Sequence, residues 1–221
     1  MHYFTLDYLQ FFKDLAPNNN KDWFDKNRKR YEESVREPFK VFISDLIDEI
    51  SKVDPEVQIT QKEAIFRINR DVRFAKDKTP YKLNNSAIIS KNGRKDKSYP
   101  GIYVELGPEK LGVYGGVFSP TTQQVEKIRR HILENQKSFN KIISDNTFVK
   151  TYGEISGGKA KRIAKEYKEI GEELPLIYNK QWYYFNHLDP NIIEGDTLMK
   201  TILEHHIVAK PMREFLKNAI Q

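Results

Sequence analysis

The chain has 221 residues, 38 % hydrophobic and 12 % aromatic, which suits one large domain with a real core and excludes a disordered chain. It holds no cysteine, so disulfides and thiolate chemistry are out, and no apolar run approaches the roughly 20 residues of a membrane helix. The net charge of +6 is regional: residues 62–97 hold 11 Lys/Arg against 4 Asp/Glu, and residues 126–168 hold 11 against 5. Such an imbalance is what a binding surface for anions looks like, and chance clustering on solvated loops produces it too. The N-terminal run MHYFTLDYLQFFKDL carries charges inside its apolar stretch and does not read as a signal peptide. The expectation is a soluble cytoplasmic protein with no membrane partner.

In chain order, Phe4, Tyr8, Phe11, Phe12 and Leu15 recur at spacings of three and four and predict a short helix over 4–15. Pro17 and the asparagines after it stop it. Asn19 is the expected cap of the next helix, with Asp22 facing the positive end of its dipole. That helix runs to about Glu37, where Pro38 kinks it or starts another. Phe39, Ile43, Leu46, Ile47 and Ile50 form an apolar stripe that buries one face.

The period then changes. Residues 64–70, 84–90, 100–106 and 110–118 read as short strands separated by turn residues, and a further strand is expected at 181–188. Short links favour an antiparallel meander. Gly107, Gly112, Gly115 and Gly116 crowd one hairpin, where a packed helix or a ligand would explain them. Helices return after Ser119-Pro120. Asp196 is the expected cap of a helix through Leu198, Ile202 and Ile207, and Lys210-Pro211 opens a last one with Met212, Phe215, Leu216 and Ala219 inward. No repeat or linker divides the chain. The expected fold is α+β, a single domain over 1–221, with an antiparallel sheet of about five strands flanked by N- and C-terminal helices.

Reaction motifs are absent or incomplete. Residues 153–160 match the phosphate-loop pattern until Ala160, where a magnesium-holding Ser or Thr belongs, so a turn before a basic helix is the better reading. His205 and His206 are adjacent, which points them apart on a helix; His187 with Asp189 lacks a third ligand, so no metal site is expected. There is no GxSxG or SxxK. Glu105, beside Tyr103, is the one carboxylate that invites a role, the plain alternative being a cross-strand salt bridge to Arg67 or Arg73.

The stretch Phe66 to Lys82, FRINRDVRFAKDKTPYK, is the most informative. It sets Arg67, Arg70, Arg73, Lys76, Lys78 and Lys82 against Asp71 and Asp77, with aromatics between. Extended, it places Arg70 on the face of Phe66, Ile68, Val72 and Phe74, and Arg67, Asn69, Asp71 and Arg73 on the other. A guanidinium among apolar neighbours needs a partner. Asp71 or Asp77 would serve internally; a phosphate or carboxylate ligand would fit its fork as well. Asp77 to Tyr81 reads as a rigid turn that holds Lys78 and Tyr81 near the arginines.

FRINRDVRFAKDKTPYK, together with NNNKDWFDKNRKRYE, YVELGPEKLGVYGGVFSP and KIRRHI, resembles the widespread bacterial family known as domain of unknown function 2461. The likeness runs from Leu9 to Leu216. It implies one intact domain and assigns no activity, catalytic residue or cofactor.

Three readings stay open. The first is a site for an anionic small molecule, in a binding protein or an enzyme, built from Arg67, Asn69, Arg70, Arg73, Lys76, Asp77, Lys78, Tyr81, Lys82 and Glu105. The second is nucleic-acid binding by the two basic regions, with Phe74, Tyr81 or Tyr99 stacking on bases. The third is a structural or interaction module whose arginines pair internally. Cofactors and oligomeric state are not indicated.

Overall fold

The computed structural model describes residues 2–221. It is α+β, with one antiparallel sheet of order β1-β2-β3-β4 flanked by helices. The helices before the sheet are α1 (Asp7–Leu15), α2 (Lys21–Lys26), α3 (Arg28–Tyr31), α4 (Glu37–Ser51) and the single turn α5 (Gln61–Ala64). The strands are β1 (Asn85–Ile89), β2 (Gly101–Leu106), β3 (Leu111–Val117) and β4 (Trp182–Leu188). Between β3 and β4 lie α6 (Thr122–Glu134), α7 (Gln136–Ile143), α8 (Asn146–Tyr152) and α9 (Lys168–Glu173), and α10 (Leu198–Val208) and α11 (Lys210–Ile220) close the chain. No helix among the described residues is long and apolar enough to cross a membrane.

The sheet has four strands, not about five. The expected strand at 64–70 is missing because Thr60 and Glu63 form a capping box that draws Gln61–Ala64 into a helical turn. Beyond that turn the chain pairs only at two isolated bridges, Ile65 with Ala87 and Asn69 with Tyr81. Their registers differ by two residues, so the ladder is interrupted.

The chain divides into two compact units, each assembled from separated segments. One holds residues up to Arg94, Tyr103–Val113 and His187–Leu203. Its buried residues include Tyr8, Phe11, Phe12 and Leu15 of α1 and the whole α4 stripe. Asn20, not Asn19, caps α2, its side chain accepting from the Trp23 amide at 3.0 Å. A five-residue π-helical segment, Glu32–Arg36, carries the chain into α4, with Pro38 in the first turn.

The other unit holds Lys95–Ile102, Tyr114–Asn186 and Glu204–Gln221. Trp182 and Tyr184 of β4 pack in its core with Ile128, Phe139, Phe148 and Met212. The cap of α6 is Thr121, two residues past Ser119, in a capping box with Gln124. Gly115 is explained by β4: a Cβ there would stand 2.5 Å from the Tyr184 ring, so strand packing, neither helix nor ligand, demands the space. Within residues 153–160, expected as a turn before a basic helix, Ser156 bridges Tyr183 and Lys159 bridges Asn179. On α10, Leu198 and Ile202 are buried and Ile207 is exposed.

Candidate site: a braced cationic ribbon

Two segments, 65–70 and 80–87, the second running into β1, lie antiparallel in the first unit. The Phe66 amide donates to Ser86 O at 2.9 Å, the Arg70 amide to Pro80 O at 2.8 Å and the Lys82 amide to Ile68 O at 2.9 Å. Residues 71–79 form the loop that joins them. At the base of the ribbon Arg94 donates to Ile65 O at 2.9 Å and to Lys62 O, satisfying carbonyls at the end of α5.

Asn19 ties the ribbon to the helices. Its Nδ2 donates to Tyr81 O at 3.0 Å, and its Oδ1 accepts from the Tyr81 amide at 3.1 Å. A side-chain amide thus pairs with a backbone peptide as a strand would. The Tyr81 ring stacks on Phe24, centroids 4.0 Å apart and planes inclined by 16°. Burial, then Asp25, raises the pKa of its phenol. Tyr81 is a buried anchor and offers no open face to a base.

The loop is braced from within. Arg70 Nη1 donates to Asp77 Oδ2 at 2.5 Å, to Thr79 O at 3.1 Å and to the Thr79 hydroxyl. Asp77 Oδ1 accepts from the Thr79 amide at 2.9 Å. The backbone amide of Thr79, then the guanidinium, hold the Asp77 carboxyl down at about 2. Of the two expected internal partners of Arg70, the one across the loop is used. Arg73 forks onto Asp71, Nε to Oδ1 at 3.0 Å and Nη2 to Oδ2 at 2.7 Å, which lowers that carboxyl. Lys78 folds back, its ammonium donating to Val72 O at 2.9 Å and Arg73 O at 3.4 Å.

Arg67, Asn69 and Lys76 are exposed. Among the described residues Arg67 and Lys76 form no hydrogen bond or ion pair through their side chains, and the field of Arg67 reaches Asp71. Phe74 lies at the loop tip, 96 % exposed, with the Arg73 guanidinium carbon 6.0 Å from its ring centroid.

Lys82 and Glu105 lead away from the loop along a row of contacts. The Lys82 ammonium sits 5.3 Å over the Phe66 ring, and Phe66 meets Tyr103 at 6.1 Å. The Tyr103 hydroxyl donates to Glu105 Oε2 at 3.4 Å. The expected bridge from Glu105 to Arg67 or Arg73 is replaced by Lys110, 3.8 Å away. Lys110 Nζ also lies 3.3 Å from His187 Nε2. Burial, then the Lys110 charge, lowers the imidazole's pKa. Asp189 caps the next turn by accepting from the Asn191 amide at 2.8 Å. Lys110 and His187 are absent from the expected site, and 77 residues separate them, so nothing local links them. No group of His, Asp and Glu able to hold a metal occurs among the described residues.

Fold and site together define an α+β protein with a cation-rich ribbon, hydrogen-bonded within its loop, and an aromatic tip. The chain belongs to the family described as conserved hypothetical protein (DUF2461), whose model matches residues 7–215. No curated protein and no solved structure matches it.

Proposed function

We propose that the chain binds a phosphate-bearing anion through the ribbon of residues 65–87. The observation that carries this reading is the balance of charge in Phe66–Lys82. Six cations face two acids, and both acids are taken by Arg70 and Arg73 of the same loop. Beyond those pairs, Arg67, Lys76 and Lys78 carry charge spread along the ribbon. A compact carboxylate ligand would call for an open arginine fork. Here two of the three forks brace the loop, and the open Arg67 fork with Lys76 and Lys78 spreads charge along the ribbon, which suits a series of phosphates better than one compact carboxylate.

The test is binding of inorganic polyphosphate and of labelled oligonucleotides across a series of salt concentrations. Affinity should fall steeply with salt. Replacing both Arg67 and Lys76 by alanine should reduce the slope of log K against log salt by about 1 to 2, since each phosphate neutralised contributes roughly 0.7 to 0.9. A wild-type protein that binds neither probe in low salt overturns the reading. The internal pairing of Arg70 and Arg73 favours a second reading, a braced interaction module, and that negative result would support it.

A further inference from the structure

We infer that the ligand of the ribbon is single-stranded nucleic acid, with Phe74 the platform on which an unpaired base stacks. The inference rests on the phosphate-binding reading and narrows its ligand class. Three observations converge on it.

Phe74 is the most exposed large hydrophobic residue among those described. A phenylalanine so exposed contributes nothing to the core, and its flat face is open to a planar partner. Its backbone is nonetheless held in place. Lys78 grips the carbonyls of Val72 and Arg73, immediately before it, and the Asp77–Thr79–Arg70 network closes the loop behind it. The ring is presented by a braced loop, so little ordering entropy is lost when a base stacks there. Cations also flank it: Arg73 lies against the ring and Lys76 is exposed two residues on. A stacked nucleotide would bring its phosphate within reach of such neighbours.

The other rings of the ribbon are engaged. Tyr81 stacks on Phe24, and Phe66 lies under Lys82. The ribbon therefore offers one platform, which takes a base of any identity because every base has a π-face. A duplex hides those faces, so a single strand is the matching form. An anionic membrane fits less well. One phenylalanine is a weak anchor.

The experiment compares the full chain with Phe74→Ala, Phe74→Tyr and the Arg67→Ala, Lys76→Ala double variant. The probes are a mixed-sequence single strand, the same sequence as a duplex, inorganic polyphosphate and phosphatidylserine vesicles. Phe74 lies outside the core, so its replacement leaves the fold intact, and far-UV circular dichroism verifies that. Phe74→Ala should weaken single-strand binding about 5- to 150-fold, the range of one lost base stack. It should leave polyphosphate binding unchanged, and Phe74→Tyr should restore the single strand. If Phe74→Ala binds the single strand as wild type does while the double variant weakens every probe, stacking is wrong and the charge reading stands. Equal wild-type affinity for strand and duplex, or loss confined to vesicles, also overturns the inference. If wild type binds no probe, both readings fall together.

Discussion

Arg30 and Arg70 have equally exposed side chains, 28 % each, and both are held by aspartates, yet they act at different scales. Arg30, on α3, takes both oxygens of Asp7 through Nε at 3.0 and 3.1 Å, and Asp14 through Nη1 at 2.8 Å. Those carboxylates stand at the two ends of α1, and the guanidinium carbon lies 5.6 Å from the centroid of the buried Phe11 ring. The arginine is thus a tertiary weld between two helices. Arg70 takes one carboxylate, seven residues away in its own loop. It shapes the loop and ties little else to it. The difference shows that pairing an arginine does not by itself decide between structure and function. Arg30 occupies two acids with one cation, whereas the ribbon ends with cations in surplus.

The sharpest way to break the contrast is Arg30→Ala. It leaves two carboxylates facing each other's field and strips a charge from the Phe11 face. The expected loss is about 2 kcal/mol in denaturant unfolding, between a surface pair and a buried one. Arg30→Lys should recover part of that, because an ammonium cannot reproduce the fork. A loss below about 0.5 kcal/mol would make the weld an ordinary surface pair.

Asn19→Ala comes next. It removes both hydrogen bonds to the Tyr81 peptide, at a cost of about 1 to 2 kcal/mol. Amide exchange should quicken at Tyr81 and Lys82 more than in α4. Uniform acceleration would show that Asn19 is simply part of the global fold.

Much of this is legible locally. The α4 stripe, the β2–β3 hairpin and the need of Arg70 for a partner come from residues near one another, and Asp77 is within reach as that partner. The capping box at Thr60 and Glu63 is legible too, and it explains why the fifth strand gives way to a turn. The rest depends on distant partners. Asn19 and Asn20 are equally good caps by type; only the arrival of Tyr81, 62 residues on, makes Asn19 a ribbon clasp. Tyr81 looks like a site residue until Phe24 covers it. Glu105 takes Lys110 as its partner in place of Arg67 or Arg73 because β2 and β3 set the register across their turn. Arg30 carries no local signal because its acids lie 16 and 23 residues back.

The smallest expected effect separates the two arginines by acid. Asp7, Asp14 and Asp77 all have carboxyl pKa values lowered in the folded chain, Asp7 and Asp14 first through their bonds to Arg30. A lowered folded pKa means that the unfolded chain takes up the proton first. The stability each group contributes is therefore complete above its ordinary value of 3.8 and is lost as pH falls through the folded one. For Asp77 that window runs from 3.8 down to about 2. Global unfolding in this range should track Asp7 and Asp14, whereas protonating Asp77 should loosen only residues 71–79. Proteolysis of that loop by pepsin, which works at such pH, should accelerate toward pH 2 in the wild type. In Asp77→Asn the loop should be cut quickly across the range, because the amide cannot replace the charge that holds Arg70. Global stability should hardly change. If Asp77→Asn lowers global acid stability as much as Asp7→Asn does, Arg70 is a weld of the same kind as Arg30, and the ribbon loses its independence from the core.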